Sequence, residues 1–541
     1  MLGGNASSEI RVPVAGALGD VKSDRTVREN REVGIIEELF LRNLYLNPRR
    51  EFTLWDHVQW DFLTREPNIT VLLNTSVNAC ATEHGRIVSV TGWNSHSYTK
   101  VTVRAKIFAD CSGDGILRLS GAKFMYGREP STQFGESYAR PVGSNTVMGT
   151  SLIWSFKPNA AEDGPVPPFS TAYWYPKGLG GIPKKGYPFS WTCGTTELGG
   201  MGDTIGDADW IRDQQFRYTY GYWKQMKEKE SQKTAGINFC GSLPGKRESV
   251  RFVGDHILTQ NDLLAEGRFP DTIGHGGWSM DDHFSEGFFS TLGQTIFRKC
   301  PHVYGIPYRS LYSVNVENLM FAGRDVSVTH LALASTRVMA TCAVMGQAVG
   351  TAAAIALKKG TTPRGVYREH LEELLDTLQW QDQYVPFRPR KITALTLKGR
   401  VSDAHLIDGV ERDLPDEAEH GAWLADGESC SIEWDAPEKL KGVRIVFDSD
   451  FTDLSNFRLR IWERDNNNAK QPLPKMLARD FVVEGRLRNR WTQIKAVKDN
   501  HRRYVDLDFG WPRQVDAVRL TVRSTWSAGE SKAHVYSFEA Y

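Results

Sequence analysis

The strongest constraint on the fold is an apolar strand, a glycine turn and a small-residue helix within residues 318–357. Asn318–Asp325 reads NLMFAGRD, and Met339–Leu357 reads MATCAVMGQAVGTAAAIAL. Gly323 lets the backbone approach a ligand closely. Small residues such as Gly346 let the helix start press against a cofactor, and its unpaired amides favour an anion or a carbonyl oxygen. The alternative is a plain buried βα unit whose small residues only permit close packing.

Two further segments also contain glycine turns of a kind that binds ligands. Lys106–Gly115 (KIFADCSGDG) is an apolar run that enters a glycine turn, and open parallel sheets bind ligands beyond the carboxyl ends of their strands. Leu2–Glu9 (LGGNASSE) places Asn and Ser donors after two glycines, which suits a phosphate or a helix N-cap. An ordinary strand-to-helix turn and a capped loop are the respective alternatives.

The N-terminal third predicts helices followed by a β-meander. Apolar residues near a 3.6-residue period predict helices over Val33–Asn47 and Thr53–Thr64. Three β-rich runs separated by polar turns predict strands over Ile69–Leu73, Ile87–Thr91 and Tyr98–Val103.

The rest of the chain divides into a loop-rich middle and a β-rich end. Residues of about 130–300 are rich in Gly, Pro and aromatics, which is typical of a substrate region, and Asp207–Lys229 is the one long helix predicted there. Tyr367–Leu378 is also helical in pattern. From Lys391 onward, short alternating runs predict an all-β sandwich; the predicted strands include Ser431–Trp434, Val443–Phe447, Phe457–Trp462, Arg503–Leu507 and Ala517–Val522.

The three glycine segments, in this order, resemble the FAD-dependent oxidoreductase family, which is related to flavoproteins of the glutathione-reductase type. Gly245–Arg251 with the following Gly254-Asp255, and Ile306–Tyr312 leading into the 319–350 segment, are also similar to family motifs, and the resemblance covers about residues 1–380. It implies an α/β fold of the FAD/NAD(P)-binding Rossmann-like type with an inserted β-meander. FAD is the implied cofactor, and the implied FAD-binding residues are Gly3, Gly4, Asn5, Cys111, Ser112, Gly113, Asp114, Gly323, Arg324, Asp325 and Gly346.

The family pattern begins with a strand and a glycine-rich loop, and neither is found before Leu2 in this sequence. The opening strand and its G-x-G-x-x-G loop supply the amide cradle for the pyrophosphate in this family. Either Met1 is an internal start of a longer protein, or about 30–40 residues of a βαβ unit are missing from this product. The second case predicts loss of the central strand and of part of the FAD affinity.

Four residues are candidates for the chemistry: His330, Arg337, Arg247 and Glu248. Oxidation of a C–H bond by a flavin needs a base for the accompanying proton, and histidine suits neutral pH. A cation near the flavin would stabilise its reduced anion. In the alternative interpretation His330 bonds a loop carbonyl, and Arg337 pairs with Asp325 or Glu248 for structural reasons.

Two regions suggest carbohydrate. Trp278 and His283, with Asp281 and Asp282 between them, are predicted to bind a polyhydroxylated substrate; the alternative is a surface loop with a buried Trp. At the C-terminus, the segments 404–409, 431–434 and 443–447 with Trp423 resemble a galactose-binding-like (discoidin-like) β-sandwich. Such modules bind glycans or serve as structural caps, and both possibilities stay open.

Composition excludes several classes of protein. A formal net charge of +1 provides no overall field for nucleic acid. Residues 326–357 contain His, Arg and Gln and fall short of an apolar membrane span. The seven cysteines are scattered without CxxC spacing, so we expect no metal site, and Cys111 and Cys342 are expected to be buried packing residues.

Together these patterns predict an FAD-dependent oxidoreductase domain over residues 1–390 and a galactose-binding-like sandwich over 391–541. The expected activity is hydride transfer from a small, sugar-derived substrate to flavin. The alternative is a non-catalytic carbohydrate-binding or scaffold protein that keeps a degenerate flavoprotein fold. A soluble, cytoplasmic chain is favoured, with an export signal upstream of Met1 and the oligomeric state left open.

Overall fold

The computed structural model describes residues 2–17, 30–157, 169, 188–190, 193–227, 233–301, 303–414, 419–449, 473–527, 529 and 531–541. The described residues form two compact units. Unit 1 contains residues 2–17 and 51–371, and unit 2 contains 30–50, 372–449 and the described residues from 473 onward. The boundary at residue 390 stays a prediction.

Among the described residues the α-helices are α1 (Ile35–Leu46), α2 (Phe52–Thr64), α3 (Ser131–Phe134), α4 (Ala208–Lys227), α5 (Gln260–Leu264), α6 (His330–Thr336), α7 (Met339–Lys359), α8 (Pro363–Glu369), α9 (Leu371–Trp380) and α10 (Ala394–Lys398).

The strands are β1 (Thr75–Glu83), β2 (Arg86–Asn94), β3 (Thr99–Arg104), β4 (Phe108–Asp110), β5 (Phe124–Met125), β6 (Thr150–Lys157), β7 (Pro188–Ser190), β8 (Cys193–Leu198), β9 (Gly236–Cys240), β10 (Arg251–Phe252), β11 (Thr272–Gly276), β12 (Met280–His283), β13 (Thr295–Arg298), β14 (Tyr304–Pro307), β15 (Leu319–Phe321), β16 (Arg400–Val401), β17 (Ala422–Leu424), β18 (Ser429–Phe447), β19 (Ala478–Leu487), β20 (Arg490–Val497), β21 (Tyr504–Thr525) and β22 (Ala533–Ala540).

Unit 1 has mixed α/β architecture around a parallel strand pair. β15 pairs with β4 in parallel register, and β15 is completely buried. The small residues of α7 support this packing, since Ala348, Ala352 and Ala356 are all fully buried. α7 ends at Gly360, which takes the left-handed conformation that commonly terminates helices.

The predicted meander is a three-stranded antiparallel sheet in the order β1-β2-β3. The prediction of a strand over Ile69–Leu73 was wrong, because the first strand is Thr75–Glu83. This strand contains small and polar residues and is exposed along most of its length. It lacks the run of β-branched and apolar residues that marks a strand in sequence.

Part of the predicted loop-rich middle is sheet. β7-β8-β6-β9 form a four-stranded sheet, and β11–β14 and β12–β13 form antiparallel pairs. α4 confirms the predicted helix in this region. The segment predicted as one helix over Tyr367–Leu378 is two, because α8 ends at His370 before α9 begins.

Among the described residues one helix, α7, is long and apolar enough to cross a membrane by length and composition alone. More than half of its most apolar window is buried within the protein, as expected for a core helix. No group of three or more His, Cys, Asp or Glu in the described part of the chain could hold a metal ion.

Unit 2 is an antiparallel β-sandwich built on two long strands. β18 and β21 pair along their lengths with irregularities after Glu433 and Leu440, and the second half of β18 also pairs with β22. The strand order is β17-β22-β18-β21-β19-β20, with β16 beside β18. The predicted strand Phe457–Trp462 lies outside the described residues.

The core of unit 2 is apolar and includes one helix from the N-terminal part of the chain. Ile432, Phe481 and Val535 are fully buried in it, and Leu41 and Leu44 of α1 belong to the same core. The predicted amphipathic helix at 33–47 is therefore confirmed, and its apolar face packs on the sandwich.

Candidate functional site

The carboxyl ends of β4 and β15 bring two predicted glycine turns side by side. The Ala322 N–H donates to the Asp110 carbonyl oxygen at 3.0 Å. The Asp110 carboxylate accepts hydrogen bonds from the N–H groups of Ser112 at 2.9 Å and Leu117 at 2.7 Å. The turn after β4 is therefore fixed by the last residue of the strand, next to the turn after β15.

Gly113 and Arg324 show how close these two turns come. Gly113 has a φ of +68°, and a Cβ built on it would lie 2.5 Å from Nε of Arg324. Both its left-handed backbone and the adjacent guanidinium exclude a side chain. The glycine is thus required by the fold of this site.

Asp325 closes the second turn against the first. Its Oδ2 accepts a hydrogen bond from the Gly115 N–H at 3.2 Å. The carboxyl is completely buried. Burial, together with the nearby Asp110, raises the pKa of Asp325 well above its usual range.

The N-terminal glycine segment reaches the same place through Lys246. The Asn5 side chain donates to the Lys246 carbonyl oxygen at 2.8 Å and accepts from its N–H at 3.3 Å. Lys246 Nζ lies 2.9 Å from Asp114 Oδ2, and Arg324 Nη2 lies 3.4 Å from Asp114 Oδ1. Gly3 and Gly4 lead into Asn5 with left-handed φ angles. All three glycine turns therefore lie together.

Gly346, Cys111 and Cys342 can each be compared with the sequence-based expectation for them. Gly346 lies inside α7 with open space at its Cα. At the start of α7, the Ala340 N–H donates to the Ala15 carbonyl oxygen at 3.0 Å. The prediction that Cys111 and Cys342 are buried was wrong, since Cys111 is exposed and Cys342 half-buried.

The groups in this region fit the cofactor that the resemblance implies. Arg324 Nη1 is buried and has no hydrogen-bond partner among the described residues. Asp325 Oδ1 is buried and accepts no N–H or O–H among the described residues, although the Asp325 carboxyl also interacts with the Asp110 carboxyl. An unpaired guanidinium N–H suits a phosphate oxygen, and a carboxyl oxygen that accepts no N–H or O–H suits a ribose or ribityl hydroxyl. Ser112, Asp114 and Asn5 add polar groups around them.

Beyond these turns lies a buried group of charges that we call the His330 cluster: Arg128, Glu129, Glu248, Arg251, Asp282 and His330. His330 Nδ1 lies 3.0 Å from both Glu248 carboxylate oxygens, and its Nε2 lies 3.1 Å from Asp282 Oδ1. Arg251 bonds Glu248 at 2.5 Å and Glu129 at 2.6 Å.

His330 is held as a cation by this geometry. Both ring nitrogens face carboxylate oxygens, so both must carry a proton to donate. Burial alone would lower the pKa of His330, but Glu248 and Asp282 raise it above its ordinary value. The alternative pairing of His330 with a loop carbonyl was wrong. The role of His330 as a base stays a prediction, and it requires that one ring nitrogen first lose its proton.

A second buried group, the His283 cluster, contains Glu197, Arg247, Asp281, His283 and Arg337. His283 Nδ1 lies 2.9 Å from Glu197 Oε2, and its Nε2 lies 3.1 Å from Asp281 Oδ2. Arg337 Nη2 bonds the Asp281 carboxylate and carbonyl, both at 3.0 Å. Arg337 thus pairs with Asp281, and the alternative pairing with Asp325 or Glu248 was wrong.

Both clusters share strand β12. Successive side chains on a strand point to opposite faces, so Asp281 and His283 join the His283 cluster while Asp282 joins the His330 cluster. This corrects the alternative of a surface loop at Trp278–His283, because β12 is buried along its whole length.

Residues 245–251 contact the glycine turns, the His283 cluster and the His330 cluster. Lys246 bonds Asp114, Arg247 lies 3.5 Å from Glu197 in the His283 cluster, and Glu248 holds His330. The Ser249 hydroxyl donates to the Gly113 carbonyl oxygen at 3.1 Å. The four predicted catalytic residues are therefore divided between two adjacent clusters.

Sequence reasoning missed several members of these clusters. Glu197 and Arg128 stand in segments without a recognisable motif, and their partners are 86 and 154 residues away in sequence. Arg251 belonged to the quoted motif but was given no role. Trp278 is half-buried, and its carbonyl oxygen accepts a hydrogen bond from the Ser335 hydroxyl.

Comparisons with known proteins complete the description of the chain. A family model described as "FAD dependent oxidoreductase" matches residues 1–375. No curated protein matches the chain.

Solved structures similar to the C-terminal part are carbohydrate-binding modules. The family 32 module from Streptococcus pneumoniae EndoD is 18% identical, with 26% of this chain and 94% of that chain covered and a TM-score of 0.18. CpGH89CBM32-6 from Clostridium perfringens is 11% identical, with 28% and 98% covered and a TM-score of 0.19. Chitosan-binding module 1 from Paenibacillus sp. IK-5 is 11% identical, with 27% and 97% covered and a TM-score of 0.18.

Proposed function

The chain belongs to the FAD-dependent oxidoreductase family, and on this premise we propose that it oxidises a small, polyhydroxylated, sugar-derived substrate with bound FAD as the hydride acceptor. The observation that supports cofactor binding is the meeting of three glycine turns around two buried atoms, Arg324 Nη1 and Asp325 Oδ1, whose hydrogen bonding is incomplete among the described residues. A ligand that carries phosphate and hydroxyl groups would complete the hydrogen bonding of both atoms.

Several residues of the chain form the proposed FAD-binding region. Lys246 and Arg324 pair with Asp114, and Asn5 bonds the Lys246 backbone, so these contacts hold the three turns together. Gly113 leaves room for the Arg324 guanidinium against its backbone. When bound, FAD supplies the two-electron acceptor for a C–H bond of the substrate.

The two buried histidines provide fixed positive charge. His283 and His330 each bridge two carboxylates, and these carboxylates hold the pKa of each histidine above its ordinary value against the opposing effect of burial. A preorganised cation stabilises negative charge without reorganisation during the reaction. We therefore assign both residues an electrostatic role, as positioning residues for their clusters.

The proposal is tested with the purified full chain. We expect a visible flavin absorption spectrum, and FAD rather than FMN released on denaturation. Under anaerobic conditions a panel of small sugars and their acid derivatives should include at least one compound that bleaches the flavin. A colourless protein that does not bind added FAD would overturn the proposal.

A second candidate function is carbohydrate binding by unit 2. Trp511 is 70% exposed, and the exposed Trp423 stacks on His534 with 4.2 Å between ring centroids. Exposed aromatic faces suit stacking against apolar faces of sugars. Glycan-array binding by the full chain that is lost in Trp423→Ala or Trp511→Ala supports this function, and unchanged binding in both variants contradicts it.

A further inference from the structure

The His283 cluster contains one more cation than carboxylates. Among the residues that the structure describes, the carboxylates paired with Arg247, Arg337 and the protonated His283 are those of Glu197 and Asp281. Burial lowers the pKa of Arg337, and the nearby Arg247 lowers it further. Buried charges are normally paired, so an excess cation here favours an anionic ligand.

Arg337 in the cluster and Trp278, two residues before β12, each carry a donor that the described residues do not use. Arg337 Nε and Trp278 Nε1 are buried without an acceptor among the described residues. Arg337 is fixed by the bond of its Nη2 to Asp281, and the backbone of Trp278 is fixed by the Ser335 hydroxyl, which donates to the Trp278 carbonyl oxygen. Leaving a buried donor unpaired costs free energy, which an oxygen acceptor on a ligand would recover.

An unused acceptor lies in the same cluster. Glu197 Oε2 meets His283 and Gln294, whereas Glu197 Oε1 is buried without a partner among the described residues. A carboxylate oxygen can only accept a hydrogen bond. Its complement is a hydroxyl group of the ligand.

We propose that the substrate is a small hydroxylated carboxylate of the sugar-acid class, whose carboxylate is bound by Arg337 and Trp278 and whose hydroxyl donates to Glu197. This inference rests on the proposed function and specifies its substrate class. It assigns Arg337 and Trp278 to substrate recognition, with the excess charge of the cluster compensated by the substrate.

The test compares each acid with its neutral counterpart. D-glucuronate, D-galacturonate and D-gluconate are titrated into the flavin-loaded full chain by calorimetry, beside D-glucose and D-galactose. We expect at least one acid to bind about tenfold or more tightly than its neutral counterpart, because hydrogen bonds to charged groups are the stronger ones. Equal or absent binding of all acids by the flavin-loaded protein would overturn the inference.

Variants separate recognition from folding. Trp278→Phe keeps an aromatic side chain and removes the unused N–H together with part of the indole ring, so it should weaken acid binding about tenfold without lowering flavin content. Arg337→Lys keeps the charge but loses the planar guanidinium and should have a similar effect. Trp210→Phe, at a position 64% exposed on α4, is the matched control and should bind like the parent chain.

The outcomes distinguish this inference from the proposed function. Acid binding that is unaffected by Trp278→Phe and by Arg337→Lys contradicts the assigned residues. Flavin reduction by a neutral sugar but by none of the acids contradicts the substrate class and leaves the oxidoreductase proposal standing. Absence of flavin would instead defeat the proposed function itself.

Discussion

Two ion-paired arginines, one in each unit, show how differently the same side chain is used. In unit 2, Arg444 bonds the Trp380 carbonyl at 2.9 Å, the Gln379 carbonyl at 3.1 Å and both carboxylate oxygens of Glu411. In unit 1, Arg337 bonds Asp281 through Nη2, and its Nε has no partner among the described residues. All three nitrogens of Arg444 bond the protein, whereas Arg337 retains an unused donor.

This difference distinguishes an arginine that serves the fold, Arg444, from one that is available to a ligand, Arg337. Glu411 and Glu539 raise the pKa of Arg444 against the effect of burial, so this ion pair is internally satisfied. The pKa of Arg337 is lowered, chiefly by burial. An ion pair whose donors all bond the protein stabilises one arrangement of the fold. An ion pair with an unused donor suits a ligand that accepts a hydrogen bond from that donor.

The largest expected effect is that of Arg444→Met in unit 2. It removes one of the two arginines that pair with Glu411 and Glu539, leaving only Arg390 to these carboxylates among the described residues, and removal of one member of a buried ion pair costs about 3–5 kcal/mol. Chemical denaturation should show this loss, while the folded variant retains its flavin. The control Arg400→Met removes an exposed pair with Asp435 and should leave the denaturation midpoint unchanged. Equal midpoints for parent and Arg444→Met would show that the ion pairs of Arg444 are not structural.

Gly113→Ala tests the glycine turns of unit 1, where Arg324 Nη1 has no hydrogen-bond partner among the described residues. The new Cβ would lie against the Arg324 guanidinium, so we expect FAD affinity to fall about tenfold or more. Gly121→Ala is the matched control, because Gly121 also has a left-handed φ but has no atom within 4 Å of its Cβ position. The control should lose about 1–2 kcal/mol of stability from backbone strain and keep its FAD affinity. Equal loss of FAD affinity in both variants would indicate a general folding effect.

Asp382 gives unit 2 a smaller, pH-dependent effect. Burial raises its pKa to about 6; Arg503 opposes this rise, and Glu37 and Glu411 add to it. Because the folded pKa lies above the ordinary value, this group's stabilising contribution is complete below pH 3.8 and is lost as the pH rises through about 6. The free energy of unfolding should therefore fall by about 1–3 kcal/mol between about pH 4 and pH 7 through this group.

The variant Asp382→Asn isolates that contribution. Its unfolding free energy should change less between these pH values than that of the parent chain, as measured by urea denaturation. Asp435→Asn, at an exposed position, serves as the control and should follow the parent curve. A parent curve that rises over this pH range while Asp382→Asn remains flat would contradict the assignment.

The sequence predicted local elements better than it predicted the contacts between them. The strand before Gly323 and the helix after it were clear because apolar periodicity and small residues are local signals. The strand Thr75–Glu83 was missed because its residues are small and largely exposed. The placement of α1 on the sandwich depended on Leu41 and Leu44 meeting a core formed more than 350 residues later.

The same limit applies to the site. The three glycine turns could be listed from sequence, and the resemblance indicated that they belong together. The pairing of His283 with Glu197 could not be predicted, since strand alternation on β12 decides it only once β12 is known to be a buried strand. The catalytic and binding roles of the candidate residues remain predictions for the experiments above.

The central claim is that the turns after β4 and β15 form the FAD site together with Asn5 and Lys246. A crystal structure of the chain loaded with FAD tests it most directly. We expect the dinucleotide to contact the Gly113 backbone and to complete the hydrogen bonding of Arg324 Nη1 and Asp325 Oδ1. FAD bound elsewhere on the molecule, with no contact to these two atoms, would contradict the account.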